Sequence, residues 1–484
     1  MKLFALLKGR DKKKHGSHVQ DESNHAAMDA HPVAVLNKPV VSDSDVKSNQ
    51  KTFNGFVLGK EQSLVVDILE KTKGNYFITG KAGSGKSTVL QYFVQHTKKK
   101  NYAIVAPTGI AALNVSGQTI HSFFKFGFGF MDVNDPGLLS SNLKDDTLEH
   151  LDVLIIDEIS MVRADVMDMI DKKLRASKSE ELPFGGCQVI AFGDLYQLPP
   201  VVKEDLESQL LQERYGTSYF FGAPAVQQTF TIIEMQEVFR QKEQFFVNML
   251  NKIREATISE PELNYLNCAS GLAEKPGSCT TLVLTNKAAE IINNERLMKL
   301  SGSEYEYKGE FDGLFTPQDD TPCDKVIRLR EGALVLLVKN NREKGYVNGT
   351  IATITELDKD RIQIRFGKKI DVLEQETWEK YEYVYNEADD RIEKKVIGHF
   401  TQYPVKLAYA MTVHKSQGRT FDDICIDYMG KTAFSPGQTY VALSRCTSME
   451  HMHLNSPISL ADIRTNPEII RYMRSAKAPE EVLN

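Results

Sequence analysis

Gly80-Lys-Ala-Gly-Ser-Gly-Lys-Ser87 packs three glycines, two lysines and two hydroxyls into eight residues. In such a loop backbone N–H groups wrap phosphates, a lysine reaches the β and γ phosphates, and a hydroxyl can ligate Mg²⁺. The implied chemistry is nucleoside triphosphate binding, with Gly83, Ser84, Gly85, Lys86, Ser87 and Thr88 as the cradle. Val153-Leu-Ile-Ile-Asp-Glu158 then delivers two carboxylates at the end of an apolar run. Successive strand side chains face opposite ways, so the two need not share a task. Asp157 suits Mg²⁺, held through water, and joins Ser87 as a candidate metal ligand; Glu158 suits polarisation of an attacking water, as in-line phosphoryl transfer demands. A third apolar run ends in Phe192-Gly-Asp-Leu-Tyr-Gln-Leu-Pro-Pro200 and offers Gln197, although a loop stiffened by prolines is an alternative reading of that segment.

Side chains spaced this far apart meet only if a sheet gathers them. The runs Tyr76–Thr79, Ala103–Ala106, Val153–Ile156 and Val189–Phe192 alternate with helix-like stretches and each ends at a polar or glycine-bearing motif. That is the pattern of a parallel sheet covered by helices, which places its ligands beyond the strand ends. A second series opens near Thr231, with Thr281–Leu284, Leu334–Val338 and Ile424–Ile426 as strands. The expectation is an α/β chain with two doubly wound domains, 51–230 and 231–484. Two stretches break the alternation: one at about 122–150, rich in phenylalanine, reads as a small protruding element, and one at about 340–400, with the alternating segments Thr350–Thr355 and Arg361–Phe366, reads as an antiparallel β insert. Residues 1–50 are polar and poor in aromatics, a composition that favours a disordered tail.

The whole chain supports a water-soluble reading. It has 484 residues, a formal charge of −6, 41% hydrophobic and 26% charged residues, enough for two large cores and against a bulk positive field that coats nucleic acid. A nucleic-acid groove must therefore be local. Six cysteines without short paired spacing suggest neither a zinc site nor a disulfide framework, and fit a reducing cytoplasm. The apolar start Met1 to Leu7 lacks the features of a signal peptide, and no run approaches the roughly 20 apolar residues of a membrane-spanning helix.

Asp157-Glu-Ile-Ser-Met161 followed by Gly193-Asp-Leu-Tyr-Gln-Leu-Pro-Pro200 resembles the second and third motifs of superfamily-one DNA helicases, in the branch that holds the Pif-one and RecD families. The match continues in order. Ala106-Pro-Thr-Gly-Ile-Ala-Ala112 and Gln118-Thr-Ile-His-Ser-Phe-Phe124 resemble strand-contacting motifs; Glu237-Val-Phe-Arg-Gln241 resembles the fourth, Leu407-Ala-Tyr-Ala-Met-Thr-Val-His-Lys-Ser-Gln-Gly418 the fifth and Tyr440-Val-Ala-Leu-Ser-Arg445 the sixth. The resemblance spans about Phe56 to Arg445. The stretch Val162 to Gly185 is closer to bacterial and phage-like members than to the longer eukaryotic ones.

The resemblance implies two tandem RecA-like domains, with a wedge insert in the first and a small β-barrel insert in the second, holding ATP and Mg²⁺ between them. It implies that Gln62 reads adenine, Gln197 senses the γ-phosphate, Arg240 and Arg445 reach that phosphate from the second domain, and Gly418 lies at the nucleotide. For the strand, Pro107, Thr108, Gly109, His121, His414, Lys415 and Ser416 are the candidates, with donors suited to phosphate oxygens that position a strand without reading it. Phe123 is either a stacking platform or wedge or a core residue of its element. Partners would be single-stranded DNA and duplex or structured junctions, the basic unit a monomer, the movement 5′ to 3′, and the location cytoplasmic in a bacterial or phage-like setting. An RNA-directed or protein-displacing translocase, and an ATP-driven switch without unwinding, are the rival readings; a kinase-like enzyme shares only the phosphate loop.

Overall fold

The apolar runs that end in polar motifs lie side by side. In the computed structural model six strands follow the order Gln118–Thr119, Tyr102–Ala106, Val153–Ile156, Gln188–Phe192, Asn75–Gly80, Phe230–Met235, with every neighbouring pair parallel. The central runs are continuous rather than alternating because both faces of the sheet are covered. Leu154 and Ile156 enter one core with Phe77, Phe124 and Phe220, while Val153 and Ile155 enter the other with Ile68, Leu69 and Val89. All four strands expected in the first series are present, with boundaries moved by a single residue at most.

The structure describes residues 51–53, 56–127, 129–134, 146–202, 205–239, 243–271, 279–341 and 343–483. The expected tail, Arg240 and part of the phenylalanine-rich insert lie outside these. Residues 51–484 hold together as one compact unit that contains two parallel sheets. The second sheet has the order Ala410–Thr412, Thr280–Val283, Ile424–Ile426, Met452–Leu454, again all parallel.

Several expectations need correction. Phe230–Met235, where the second series was to open, is the edge strand of the first sheet, paired with Asn75–Gly80. The chain also returns there at its end: Lys477 bridges to the strand at Ile233, and Ile469 and Met473 join the first sheet's core. A boundary at 230/231 therefore cuts through one core. Leu334–Leu337 is not in the second parallel sheet but pairs antiparallel with Ile351–Leu357 and Val405–Leu407. Its unbroken apolar run has another cause, since Val335 and Leu337 face one core and Leu334 and Leu336 face a second. The antiparallel material is also wider than 340–400. It starts at Tyr305 and contains a five-stranded sheet with two- and three-stranded sheets beside it, and no strand pairing among the described residues closes these into a barrel. Its longest element is the hairpin Glu376–Asn386 with Arg391–Gln402.

The phenylalanine-rich stretch does not protrude where it is described. Phe123, Phe124, Phe126, Met131 and Val133 are buried in the core of the first sheet. The long hairpin leans on the same place: Tyr383 lies edge-on to Phe123 with ring centroids 5.6 Å apart, and its hydroxyl accepts the backbone N–H of Ile104. No helix among the described residues is long and apolar enough to cross a membrane.

Candidate active site

The buried strand Asn75–Gly80 ends at the phosphate loop, and the chain turns through Gly83 (φ 84°) and Gly85 (φ 82°) into the helix Lys86–His96. This left-handed backbone is where a side chain is strained and glycine is not. At Gly85 a Cβ would also stand 2.0 Å from Nε2 of Gln62, so that glutamine closes over the loop. Gln62 is held in place by its own helix: Oε1 accepts the Gly59 N–H at 2.9 Å. The Lys86 ammonium rests on the loop's own carbonyls, Gly80 O at 2.8 Å and Lys81 O at 3.2 Å. Thr79 Oγ1 and Ser84 Oγ are buried without a hydrogen-bond partner among the described residues. Buried hydroxyls are normally paired, so the loop holds unspent polar groups together with a cation, a cradle fitted to a polyphosphate. Ser87 and Thr88 occupy the first turn of the helix.

Asp157 and Glu158 follow the strand Val153–Ile156, and the Glu158 N–H donates to Asp157 Oδ1 at 3.0 Å. Glu158 has φ 52° and ψ 44°, a left-handed conformation uncommon for a residue with a side chain. Burial pushes both carboxyls above their usual range; Asp157 raises Glu158 further, and Lys86 opposes the shift in both. Two carboxylates held so close in a poorly hydrated place favour a cation beside them. The Ser87 hydroxyl and the Asp157 carboxylate are hard oxygen donors, the kind of ligand that Mg²⁺ takes.

Gln197 lies on the strand-end loop after Gln188–Phe192 and is nearly buried. Its Nε2 donates to Asp194 Oδ2 at 3.2 Å, while its Oε1 accepts from Gln417 Nε2 at 3.2 Å. The same Gln417 nitrogen donates to Glu158 Oε2 at 3.0 Å. Gln417 was inside a motif quoted from the sequence, but nothing in the sequence singled it out from its neighbours.

The second sheet's elements reach the loop at further points. Gly437 (φ 73°) heads the helix Gln438–Leu443, and a Cβ there would come within 2.2 Å of the Gln197 carbonyl. Tyr440 on that helix accepts the Ala82 N–H of the phosphate loop at 2.9 Å. Arg254, fully buried at the end of the helix Gln244–Arg254, bridges Asp194 and Glu234, each at 3.2 Å, and stacks 4.0 Å from the Tyr196 ring centroid. No sequence signal pointed to Arg254 or Gly437, and Tyr440 stood inside the sixth motif with no role singled out for it. Arg445 is 1% exposed and turned into its own surroundings, with Nε donating to Val441 O at 2.9 Å, Nη1 to Arg419 O at 3.1 Å and Nη2 to Ser444 Oγ at 2.8 Å. It is close enough to lower the Glu158 carboxyl, but it does not point outward. Gly418 adopts φ 76° with open space where a Cβ would be.

The strand candidates divide. Pro107, Thr108, Gly109 and His121 line one cleft of about 590 Å³. Thr108 caps the helix Gly109–Asn114, and the His121 ring is half-buried, its pKa lowered by that burial and then by Arg163. The facing wall carries Asp319, Asp320 and Lys380. Phe123 is not in this cleft; it is a core residue, which decides against the stacking or wedge reading because its ring is spent on Phe124 and Tyr383. His414–Ser416 forms a single 3₁₀ turn away from that lining. Within it Lys415 is exposed, His414 is half-buried, and Ser416 is fully buried with its hydroxyl donating to Val413 O at 2.7 Å. Ser416 thus shapes the turn instead of facing a strand.

Known proteins are similar to this chain. The family model for the PIF1-like helicase matches residues 57–264. The ATP-dependent DNA helicase Pif1 of Bdellovibrio bacteriovorus is 31% identical over 408 residues, covering 82% of this chain and 87% of that protein. Among solved structures, Bacteroides sp Pif1 in complex with ADP-AlF4 superposes with a TM-score of 0.79 at 37% identity, over 87% of this chain and 97% of that one. Bacteroides Pif1 bound to ssDNA has the same identity and coverage with a TM-score of 0.62.

Proposed function

The chain belongs to the PIF1-like helicase family, and from that premise we infer that it is an ATP-dependent DNA helicase whose hydrolysis is completed where the two parallel sheets meet. The observation that carries the reading is that residues after the second sheet's strand Ala410–Thr412 and on the helix Gln438–Leu443 reach the phosphate-loop side, Gln417 at Glu158 and Gln197 and Tyr440 at the Ala82 N–H. In this reading Lys86 leaves the loop carbonyls for the β and γ phosphates, and Gln62 covers the base. Glu158 accepts the proton of the attacking water, while Gln197 marks the presence of the γ-phosphate. Arg445 turns from Val441 O toward the transferring phosphoryl, with Arg240 as the second candidate cation. Mg²⁺ held by Ser87 and Asp157 would neutralise charge on the phosphate oxygens.

Thr108, His121, His414 and Lys415 supply phosphate-directed donors from both parts of the chain, so opening and closing at the nucleotide becomes stepping along a strand. The lower score against the ssDNA-bound relative, at equal identity and coverage, supports a reading in which strand binding moves those parts against each other. Membership in the family supports 5′ to 3′ movement of a monomeric unit at duplex or structured junctions. Bacterial relatives and unpatterned cysteines support action in a bacterial cytoplasm. The test is ATP hydrolysis with and without single-stranded DNA or RNA, alongside Lys86→Ala and Arg445→Ala. Turnover stimulated by DNA and lost in both variants is the expected result; stimulation by RNA alone favours the RNA-directed rival, and indifference to either polymer favours a switch.

A further inference from the structure

One side chain stands between the strand-gripping turn and the groups that act on ATP. Gln417 directly follows His414–Ser416, and its two amide hydrogens serve two acceptors, Glu158 Oε2 and Gln197 Oε1. We propose that Gln417 is a positioning residue that ties Glu158 and Gln197 to each other in an unproductive pair, and that strand contact at the His414–Lys415 turn withdraws it, so that ATP turnover waits for DNA. The proposal rests on the helicase reading and deepens it by naming the contact through which strand occupancy reaches hydrolysis.

The tie has a fixed end. Arg254 holds Asp194 at 3.2 Å, Asp194 accepts Gln197 Nε2 at 3.2 Å, and the chain continues through Gln417 to Glu158. Gln197 is thereby engaged at both ends of its amide, and one oxygen of Glu158 is occupied by a donor. A carboxylate oxygen that accepts such a bond is less available to take a proton from water. The tie also has a movable end. Ser416 anchors the turn through Val413 O, whereas Gln417 itself has an extended backbone and Gly418 beside it has φ 76° and nothing within 4 Å of a built Cβ. A pull on exposed Lys415 is therefore passed to a residue that sits next to a glycine pivot in open space. Coupling of this kind is reciprocal: if strand contact releases Gln417, release of Gln417 favours strand contact.

The experiment uses the full chain and measures kcat and KM for ATP with and without oligo(dT). In Gln417→Ala the rate without DNA rises by about tenfold, the worth of one hydrogen bond to a charged group, while the DNA-saturated rate and KM stay near wild type. Gln417→Glu keeps the shape of the side chain but replaces the donor by an acceptor, and gives the same release; Gln417→Lys keeps a donor for both partners and retains the low rate without DNA. Rates that fall together in Gln417→Ala and Gln417→Glu, with stimulation preserved, overturn the proposal, because Gln417 then orients Glu158 productively. Unchanged rates overturn it too. Wild-type turnover indifferent to DNA is a different failure: it removes the helicase reading, and this inference with it.

Discussion

Beside the phosphate loop Asp194, Gln197, Gln417 and Glu158 bond to one another in a chain, whereas in the cleft lined by Thr108 and His121 Thr108 caps its own helix and, among the acidic residues of the lining, Asp319 pairs with Lys380. Gln417 apart, the first set and the loop stand at the ends of the buried strands Asn75–Gly80, Val153–Ile156 and Gln188–Phe192, whose backbone direction fixes where the side chains go. The second rides on short elements, Thr108 at the cap of the six-residue helix Gly109–Asn114 and His121 in the five-residue helix Ile120–Phe124. The acid pair and Gln197 are thus placed by the sheet, while the proposed strand contacts are placed by short elements. The largest effect should separate the two properties cleanly. Lys86→Ala should lower kcat by about two to three orders of magnitude, as loss of a charge-stabilising donor does, yet leave the urea midpoint nearly unchanged, because the ammonium rests on loop carbonyls rather than in a core. A large drop in the midpoint would mean that the loop is a structural keystone as well.

Arg254 tests whether the nucleotide side is as rigid as its bonds suggest. Arg254→Met leaves Asp194 and Glu234 without their buried cation, a loss of about 3–5 kcal/mol by analogy with broken buried pairs, read by denaturant unfolding. Phe123→Ala makes the corresponding test on the strand side. Its ring lies in the first core, so truncation should cost about 3 kcal/mol of stability. Weaker DNA binding at unchanged stability would instead return Phe123 to the role of a stacking platform.

The two regions were unequally legible in the sequence for the same reason. Gly80–Ser87 and Asp157–Glu158 are contiguous, and an apolar run ending in polar residues already states where a strand stops. Gln417 meets Glu158 across 259 residues and Arg254 meets Asp194 across 60, and no local pattern encodes such pairings. Burial was equally hidden: Ser416 and Phe123 have residue types that suit a strand contact, but the first is spent on a turn and the second on a core. Leu334–Leu337 was misplaced because an apolar run says only that both faces are covered, not by what.

The smallest effects probe the acidic wall. Asp320 lies so close to Gly109 that a Cβ added there would meet its Cβ at 2.7 Å. If the wall stays beside the strand path, Asp320→Asn should tighten single-stranded DNA binding by about 1 kcal/mol, the scale of one unit-charge contact in water. Lys415→Ala should weaken it and flatten the dependence of log affinity on log salt by about 0.7, the share of one phosphate contact on a single strand. The gain in Asp320→Asn should fade as salt is raised, since an exposed charge is screened within about 10 Å at 0.1 M. A variant that binds DNA as the wild type does, at every salt concentration, would mean that Asp320 has left the strand path by the time the strand is held. In that case the acidic residues shape the resting cleft rather than the grip.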